Sequence, residues 1–386
     1  MTSGTLVDGV RSFVRDTLVP LESEIEATDE IPAVAIDGMK NLGLFGLTVP
    51  REFGGLGADA RQEAQIVTEL GWTAAAFRSL LGINIGVGSR GITTFGTELQ
   101  KSAWLPRIAT GETVTSFALT ESDAGSDATS VATRAVRAGS EWVLNGTKKY
   151  VTNSSLAGVV TVIAATQDAK LPGNRHLSAF LLPLPSDGVT VGARRSMLGQ
   201  RGGYWSDLDL SNVRLPATSL LGREGQGFEI MMSLLDRSRL QVSALAVGQG
   251  QRLLHECLTH VATRQQFGKT LGEFELIQAL VADSYAELAA MEALVSDTAE
   301  RVDAGESVAA LAAATKLFTS ETIGRIADRA VQVFGAEGVQ SGSVVERTYR
   351  DVRAFRFIEG STQMQQVSIA RLLLKKHGKR MAEHAV

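Results

Sequence analysis

The chain has 386 residues, 44% of them hydrophobic and 21% charged, with 39 glycines. That length and balance describe a globular chain of about two or three domains and exclude a disordered one. Basic and acidic residues nearly cancel, 38 against 42 for a net charge of -4, so no broad positive field exists for nucleic acid or a membrane surface.

The single cysteine, Cys257, rules out an intrachain disulfide. The opening segment carries no basic stretch followed by an apolar one, because Asp8 interrupts it. Nor do about 18 apolar residues follow one another anywhere. These features predict a soluble, cytoplasmic protein.

Leu6, Val10, Phe13 and Val14 recur at the spacing of a half-buried helix. Pro20, Pro32 and Pro50 then punctuate the chain, and residues 53–57, Phe-Gly-Gly-Leu-Gly, predict a loop. Gly86, Gly88 and Gly91 match G-x-G-x-x-G, but Ala74-Ala75-Ala76-Phe77 before them reads as helix rather than strand. Small residues at a close helix contact explain them better than a dinucleotide loop.

The period changes in the middle. Residues 133–152 predict strands around turns at Gly139-Ser140 and Asn145-Gly146, the second a strong hairpin signal. Val159 to Ala165 and Leu177 to Leu182 are apolar runs, and Leu208, Leu210 and Val213 alternate with polar neighbours.

All eight prolines lie at or before Pro216. The proline-free remainder, rich in Ala, Leu, Glu and Gln, predicts long helices near 225–264, 273–303, 307–335 and 361–378, packed as a bundle. Leu276, Leu280, Asp283, Glu287 and Met291 mark one helical stripe. His255 and His260 are five apart, so they face different sides and serve packing or the surface. Lys375, Lys376, Lys379 and Arg380 read as a solvated helix end. Helices, then strands, then helices argue for an α+β fold over a doubly wound one, divided at 1–115, 116–222 and 223–386.

G-x-S-x-G, phosphate-loop and H-E-x-x-H motifs are all missing. Phe117 to Asp127, FALTESDAGSD, ends a strand in a turn rich in hydroxyls and exposed N–H groups, which suits an anionic or carbonyl-rich ligand. Four further segments follow it: YVTN at 150–153, RQQFGK at 264–269, QVFGAEG at 332–338 and FIEGSTQMQ at 357–365. With EFGGLG at 52–57, LNGTKKYVTN at 144–153 and YRDVR at 349–353, they resemble the acyl-CoA dehydrogenase family over nearly the whole chain.

The resemblance implies an N-terminal helical domain, a middle β-barrel or sandwich domain and a C-terminal four-helix bundle. It implies FAD as cofactor, an acyl-CoA substrate, a homotetramer built as a dimer of dimers, and an electron-transferring flavoprotein as acceptor. The reaction would remove two hydrogens across the Cα–Cβ bond of a thioester to give a trans-2-enoyl product. A desolvated carboxylate close to the weakly acidic α-carbon suits that task.

By motif, Glu359 is that base and the flavin N5 receives the β-hydride. Some members carry the base on an earlier helix, but the matching position here is Ser238, which cannot serve. Phe117, Leu119 and Thr120 match the strand against the flavin ring. Gly125 and Ser126 match the turn near the flavin and the pantetheine arm. Tyr150, Val151 and Thr152 match the aromatic beside the ring and the hydroxyl near N5. Arg264 and Phe267 match pyrophosphate and adenine contacts of a neighbour's FAD. Gln332, Gly335 and Ala336 match cross-subunit adenosine contacts, and Ser361 and Gln363 match those following the base. Asp236, Arg239 and Gly360 match the substrate side, although Asp236 and Arg239 also stand at helix ion-pair spacing.

The chain departs from the family at Ser122-Asp123, usually Pro-Gly, and at Glu275, Ala336 and Ser361. Arg78 is a further departure, set in a helix otherwise lined by Ala, Leu, Ile and Gly. It resembles the arginine that binds the distal carboxylate in glutaryl-CoA dehydrogenases, whose accompanying serine falls at Gly82. It also resembles a stretch in enzymes that oxidise carrier-protein-bound acyl groups. Both point to a short acyl chain with a polar or carboxylate end; a snorkelling or salt-bridged arginine is the plainer account. A flavin oxidase or monooxygenase on the same scaffold is the alternative, although those monooxygenases typically lack the Glu359 equivalent.

Overall fold

The structure, a computed structural model, describes residues 3–167 and 171–384. Helices α1 (Ser3–Phe13), α2 (Glu22–Thr28), α3 (Ala33–Asn41), α4 (Ala60–Gly71), α5 (Ala75–Ile83), α6 (Ser89–Phe95) and α7 (Glu98–Ala109) come first. Leu6, Val10 and Val14 are buried, as their spacing predicts. Asp59 caps α4 by accepting from the Gln62 N–H at 2.8 Å, and Thr97 with Gln100 forms a capping box on α7. The glycine triplet lies in helix, in a π-helical turn at Asn84–Gly88 and the start of α6. A Cβ on Gly88 would stand 1.9 Å from the Thr115 hydroxyl, so the triplet serves close packing.

One sheet follows, built from β1 (Val114–Ala118), β2 (Arg134–Ala138), β3 (Glu141–Thr152), β4 (Ala157–Ala165), β5 (Leu177–Pro183), β6 (Val189–Val191), β7 (Trp205–Pro216) and β8 (Leu220–Leu221). Its order is β6-β7-β3-β2-β4-β5-β8, with β1 also paired to β4. Both β1 and β2 run parallel to β4, and the remaining neighbours are antiparallel.

The β4 strand is an unbroken apolar run because both of its faces are covered. Val160 and Val162 join Trp142, Leu144, Phe180 and Leu208 in the core inside the curled sheet. Val159 and Ile163 join Leu177 and Leu181 against Val87, Ile92, Leu105 and Ile108 of the preceding helices.

Gly139, at a φ of 65°, makes the β2–β3 turn. The second turn does not form. Asn145-Gly146 lies inside β3, where pairing with β7 slips between Leu144 and Gly146. The glycine is needed because a Cβ there would lie 2.7 Å from Thr133 Cα, so the dipeptide marks a bulge under a close backbone approach.

The last part holds α8 (Gly227–Thr263), a small hairpin of β9 (Gln265–Gln266) and β10 (Lys269–Thr270), α9 (Glu275–Asp303), α10 (Ala309–Phe334), α11 (Val344–Val352) and α12 (Thr362–His384). The four predicted helices stand within a few residues of their expected ends, except that α12 runs on to His384. The short α11 escapes the sequence reading. Helix α10 packs against α8, α9 and α12. One core joins the bundle to the first helices, with Val10 and Leu70 sharing it with Leu245 and Ile323.

Leu276, the start of the α9 stripe, is instead 83% exposed, while Met291 is buried. His255 packs against Trp72 and His260 stacks on Phe334. Lys375 and Lys376 are exposed; the side chains of Lys379 and Arg380 lie outside the described residues.

Candidate active site

Most of the predicted site residues lie on the turn after β1, the end of β3, the turn at Glu359 and α5. The first of these is where β1 leaves the sheet. The carbonyls of Leu119 and Thr120 accept from Lys148 Nζ at 3.0 Å and from the Lys149 N–H at 2.7 Å. Glu121 is buried and takes Lys148 Nζ at 2.7 Å, together with the N–H groups of Ala132 and Thr133. Burial pushes the Lys148 amine down to about 8 against the pull of Glu121. Burial alone would raise Glu121, but the Lys148 charge and the hydrogen bonds prevail and hold it below its ordinary value. This clasp fixes the turn that exposes Gly125 and Ser126, while Phe117 is half-buried on the strand behind it.

Beside it, Tyr150 adopts a φ of 55° and exposes half its surface. The Arg195 guanidinium covers its ring at 4.8 Å and is bidentate to Asp207 at 2.9 and 2.7 Å. Arg195 is the largest cause holding the Asp207 carboxyl far below the usual range. Val151 turns into the core, and the Thr152 carbonyl accepts from Ser116 Oγ at 2.5 Å. Buried Asn153 donates to the Leu80 carbonyl at 3.0 Å, which fastens the end of β3 onto α5.

Glu359 itself sits in a left-handed turn, with φ 54° at Glu359 and 94° at Gly360. A non-glycine residue holds that conformation only where its surroundings enforce it, and three side chains do. The Glu359 carbonyl accepts from Gln365 Nε2 at 2.8 Å and Arg239 Nε at 3.4 Å. The Gly360 carbonyl accepts from Lys316 Nζ at 2.8 Å and Gln365 Nε2 at 3.1 Å. Lys316 and Gln365 are fully buried, and Arg239 nearly so. The half-buried carboxylate of Glu359 has no hydrogen-bond or ion-pair partner among the described residues.

The Asp236–Arg239 pair is formed at 2.6 Å, so the helix ion pair is real and its arginine also reaches the turn at Glu359. Arg78 forms the floor from α5. It is buried, donates from Nη2 to Gln241 Oε1 at 2.9 Å and leaves Nε without a partner. Burial lowers its guanidinium, opposed by the charges of Glu359 and Glu63. Gly82 makes the room, since a Cβ there would stand 2.6 Å from Arg78 Cζ.

Ser361 accepts from the Met364 N–H at 3.3 Å as α12 starts. With Phe357 and Gln363 it lines a cavity of about 730 Å³ against α10. Arg264, Phe267, Gln332, Gly335 and Ala336 do not join this group. They are exposed together at the far end of the bundle, where His260 stacks on Phe334 at a ring distance of 4.1 Å. From Arg239 to His260 along α8 is about 30 Å at ~1.5 Å per residue.

Sequence reasoning missed Lys316, Gln365, Gln241, Glu63 and the Lys148–Glu121 clasp.

Three family models match in chain order: the acyl-CoA dehydrogenase N-terminal domain over residues 3–112, the middle domain over 116–213 and the C-terminal domain over 225–374. This chain belongs to the acyl-CoA dehydrogenase family. A probable acyl-CoA dehydrogenase of Bacillus subtilis is 35% identical over 95% of this chain and 96% of its own length. Butyryl-CoA dehydrogenase of Megasphaera elsdenii superposes with a TM-score of 0.93 at 29% identity, over 96% and 98% of the two chains. A glutaryl-coenzyme A dehydrogenase in complex with glutaryl-CoA follows at 0.91 and 30%, over 97% and 95%.

As an acyl-CoA dehydrogenase the protein is an oxidoreductase of a flavoprotein family. Its α+β architecture, with helices on either side of a sheet in the sequence, is the family's. Among the described residues no helix is long and apolar enough to cross a membrane.

Proposed function

We propose that this acyl-CoA dehydrogenase desaturates a short acyl thioester bearing a polar or carboxylate end, with Glu359 as the catalytic base. The observation that carries the reading is the Glu359 carboxylate, unpartnered, on a left-handed turn clamped by Lys316, Gln365 and Arg239. A base fixed by its backbone, with its own oxygens uncommitted, is ready for a weakly acidic carbon. Glu359 takes the α-proton, and the electron pair left on Cα becomes the second bond of the trans-2-enoyl product.

The residues present fit FAD. The hydroxyls of Thr120, Ser126 and Thr152 have no partner among the described residues. Tyr150 and Phe357 leave about half of their surface open, and a Cβ on Gly125 or Gly335 would meet nothing within 4 Å. FAD, when bound, supplies the two-electron acceptor that takes the β-hydrogen as hydride. Phe117, Leu119 and Tyr150 would bound its ring on the β side, with Val151 reaching it only through its backbone because its side chain is buried in the sheet's core, and Ser361 and Gln363 would meet it after the base.

Arg264, Phe267, Gln332, Gly335 and Ala336 would hold the adenosine end of a neighbouring subunit's FAD, because about 30 Å separates them from Glu359. A homotetramer as the working unit, and an electron-transferring flavoprotein as acceptor, complete the reading. Arg78 supports the substrate class, as a buried cation in reach of Glu359's charge that lacks a carboxylate of its own. Asp236, Arg239 and Gly360 border the thioester side.

The test is an anaerobic titration of the flavin-loaded protein with straight, branched and dicarboxylic acyl-CoAs, followed by flavin absorbance. Bleaching by short acid-ended thioesters is expected. Glu359→Gln should retain the flavin and lose at least about 10³-fold in bleaching rate, the scale of a removed general base. Near-normal reduction by that variant would overturn the assignment, and bleaching only by carrier-bound thioesters would move the substrate off CoA.

A further inference from the structure

Arg78 does not stand alone on the floor of the site. Its Nη2 donates to Gln241 Oε1, and Gln241 Nε2 in turn donates to Glu63 Oε1. The other oxygen of Glu63 takes Arg90 Nη2 at 3.2 Å and Arg237 Nη2. Glu63 and Gln241 are 2% and 1% exposed, so bulk water contributes little to the balance. Two guanidiniums that are not in the site, those of Arg90 and Arg237, therefore occupy the carboxylate, and Arg78 reaches it only through the Gln241 amide.

The direction of the amide follows from the same contacts. Glu63 accepts only, so the NH₂ end of Gln241 must face it and the carbonyl end must face Arg78. Arg78 thus receives an anchor without a direct ion pair. Its Nε remains without a partner while buried, a state that a protein interior tolerates poorly unless an anion completes it. The backbone is shaped around this pair. A Cβ on Gly86 would press on Gln241 Oε1 at 3.0 Å, and one on Gly82 would strike the guanidinium carbon.

We infer that Gln241 is the specificity-determining residue of the floor: a neutral spacer that orients Arg78 and keeps it from pairing directly with Glu63, leaving its open N–H to the distal carboxylate of the substrate. A carboxylate at 241 would satisfy Arg78 from within. An apolar side chain there would leave the guanidinium unanchored. The inference rests on the substrate reading of Arg78, and Gln241 acts through it as a positioning residue.

Binding without turnover separates the two. The flavin-loaded protein carrying Glu359→Gln is titrated calorimetrically with glutaryl-CoA and with pentanoyl-CoA, which differ at the distal end, and the ratio of dissociation constants is the readout. Gln241→Met should cut the preference for glutaryl-CoA about tenfold or more, the size of one hydrogen bond to a charged group. Pentanoyl-CoA affinity and flavin content should hold. Adding Arg78→Met to Gln241→Met should cost no more than Arg78→Met alone, since the two act as one unit.

Gln241→Glu, isosteric and still an acceptor, should lose the preference as well, which keeps the test decisive if the methionine variant folds poorly. An unchanged ratio in either folded variant, or losses that multiply in the double variant, overturns the role of Gln241. If Arg78→Met alone leaves the ratio unchanged, the substrate reading of Arg78 fails, and the inference falls with it.

Discussion

At the scale of single residues, Lys316 is the side chain whose burial has the most to say. Its amine is fully buried, with the Gly360 carbonyl as its hydrogen-bond acceptor, and burial brings it down to about 8 although Glu359 pulls the other way. In the unfolded chain the same amine holds its proton to about 10.5. Between those values the unfolded state binds more protons, so this group makes stability rise with pH. Relative to Lys316→Met, the wild type should gain up to ~1.4 kcal/mol per pH unit between about pH 8 and pH 10. Calorimetric scans of both proteins across that range check it, and a constant gap in melting temperature would show that Lys316 does not titrate there.

Glu359 could be named from the sequence because it lies in one of five ordered motifs, whereas Lys316 and Gln365 were passed over. Nothing in one chain's sequence distinguishes a helix lysine turned into a core from one turned to water. Arg78 was legible as an oddity for the opposite reason, since every neighbour in its helix is small or apolar. Its partner Gln241 belongs to no motif, and only the fold brings it across to Glu63.

At the scale of elements, the crossing of α4 over α8 sets the floor's geometry. A Cβ on Gly248 would stand 2.1 Å from the Thr68 carbonyl, and one on Gly71 would stand 2.7 Å from that of Leu245. Both obstacles are backbone and cannot swing aside. Gly248→Ala should therefore separate the helices and cost about 1–3 kcal/mol. Because α4 carries Glu63 and α8 carries Gln241, the same variant should weaken binding of acid-ended thioesters more than that of plain ones. Thermal unfolding and a pair of binding titrations would check both, and unchanged stability would mean the crossing relaxes freely.

Helix lengths were readable from the missing prolines and the 3.6-residue stripes. The Asn145-Gly146 dipeptide misled because its glycine answers a neighbour, Thr133, rather than a turn. Residues of the α9 stripe misled similarly: Leu276 is apolar yet faces outward.

At the scale of the whole molecule, the most exposed large apolar side chains lie on the last part of the chain. Phe267 is 93% exposed on its hairpin, with Leu276 at 83% and Leu374 at 71%. Phe267 stands among the far-end group proposed to hold a neighbouring chain's flavin, and its exposure suits a contact made between chains. Phe267→Ala should then loosen flavin retention and shift the light-scattering mass toward smaller species, although Glu359 in the same chain is untouched. A tetramer that keeps its flavin in that variant would speak against the shared site.

The β4 strand has a consequence for modularity. Its two faces belong to two different cores, one within the sheet and one made with α6 and α7. The eight strands are therefore not a detachable module. Cut free of the helices, the sheet would present Val159, Ile163, Leu177 and Leu181 to water as a continuous apolar face, the kind of surface on which proteins aggregate. Insertions and fusions will be better borne at the tip of the β2–β3 hairpin, where a Cβ on Gly139 would meet nothing within 4 Å, than at the seams between helices and sheet.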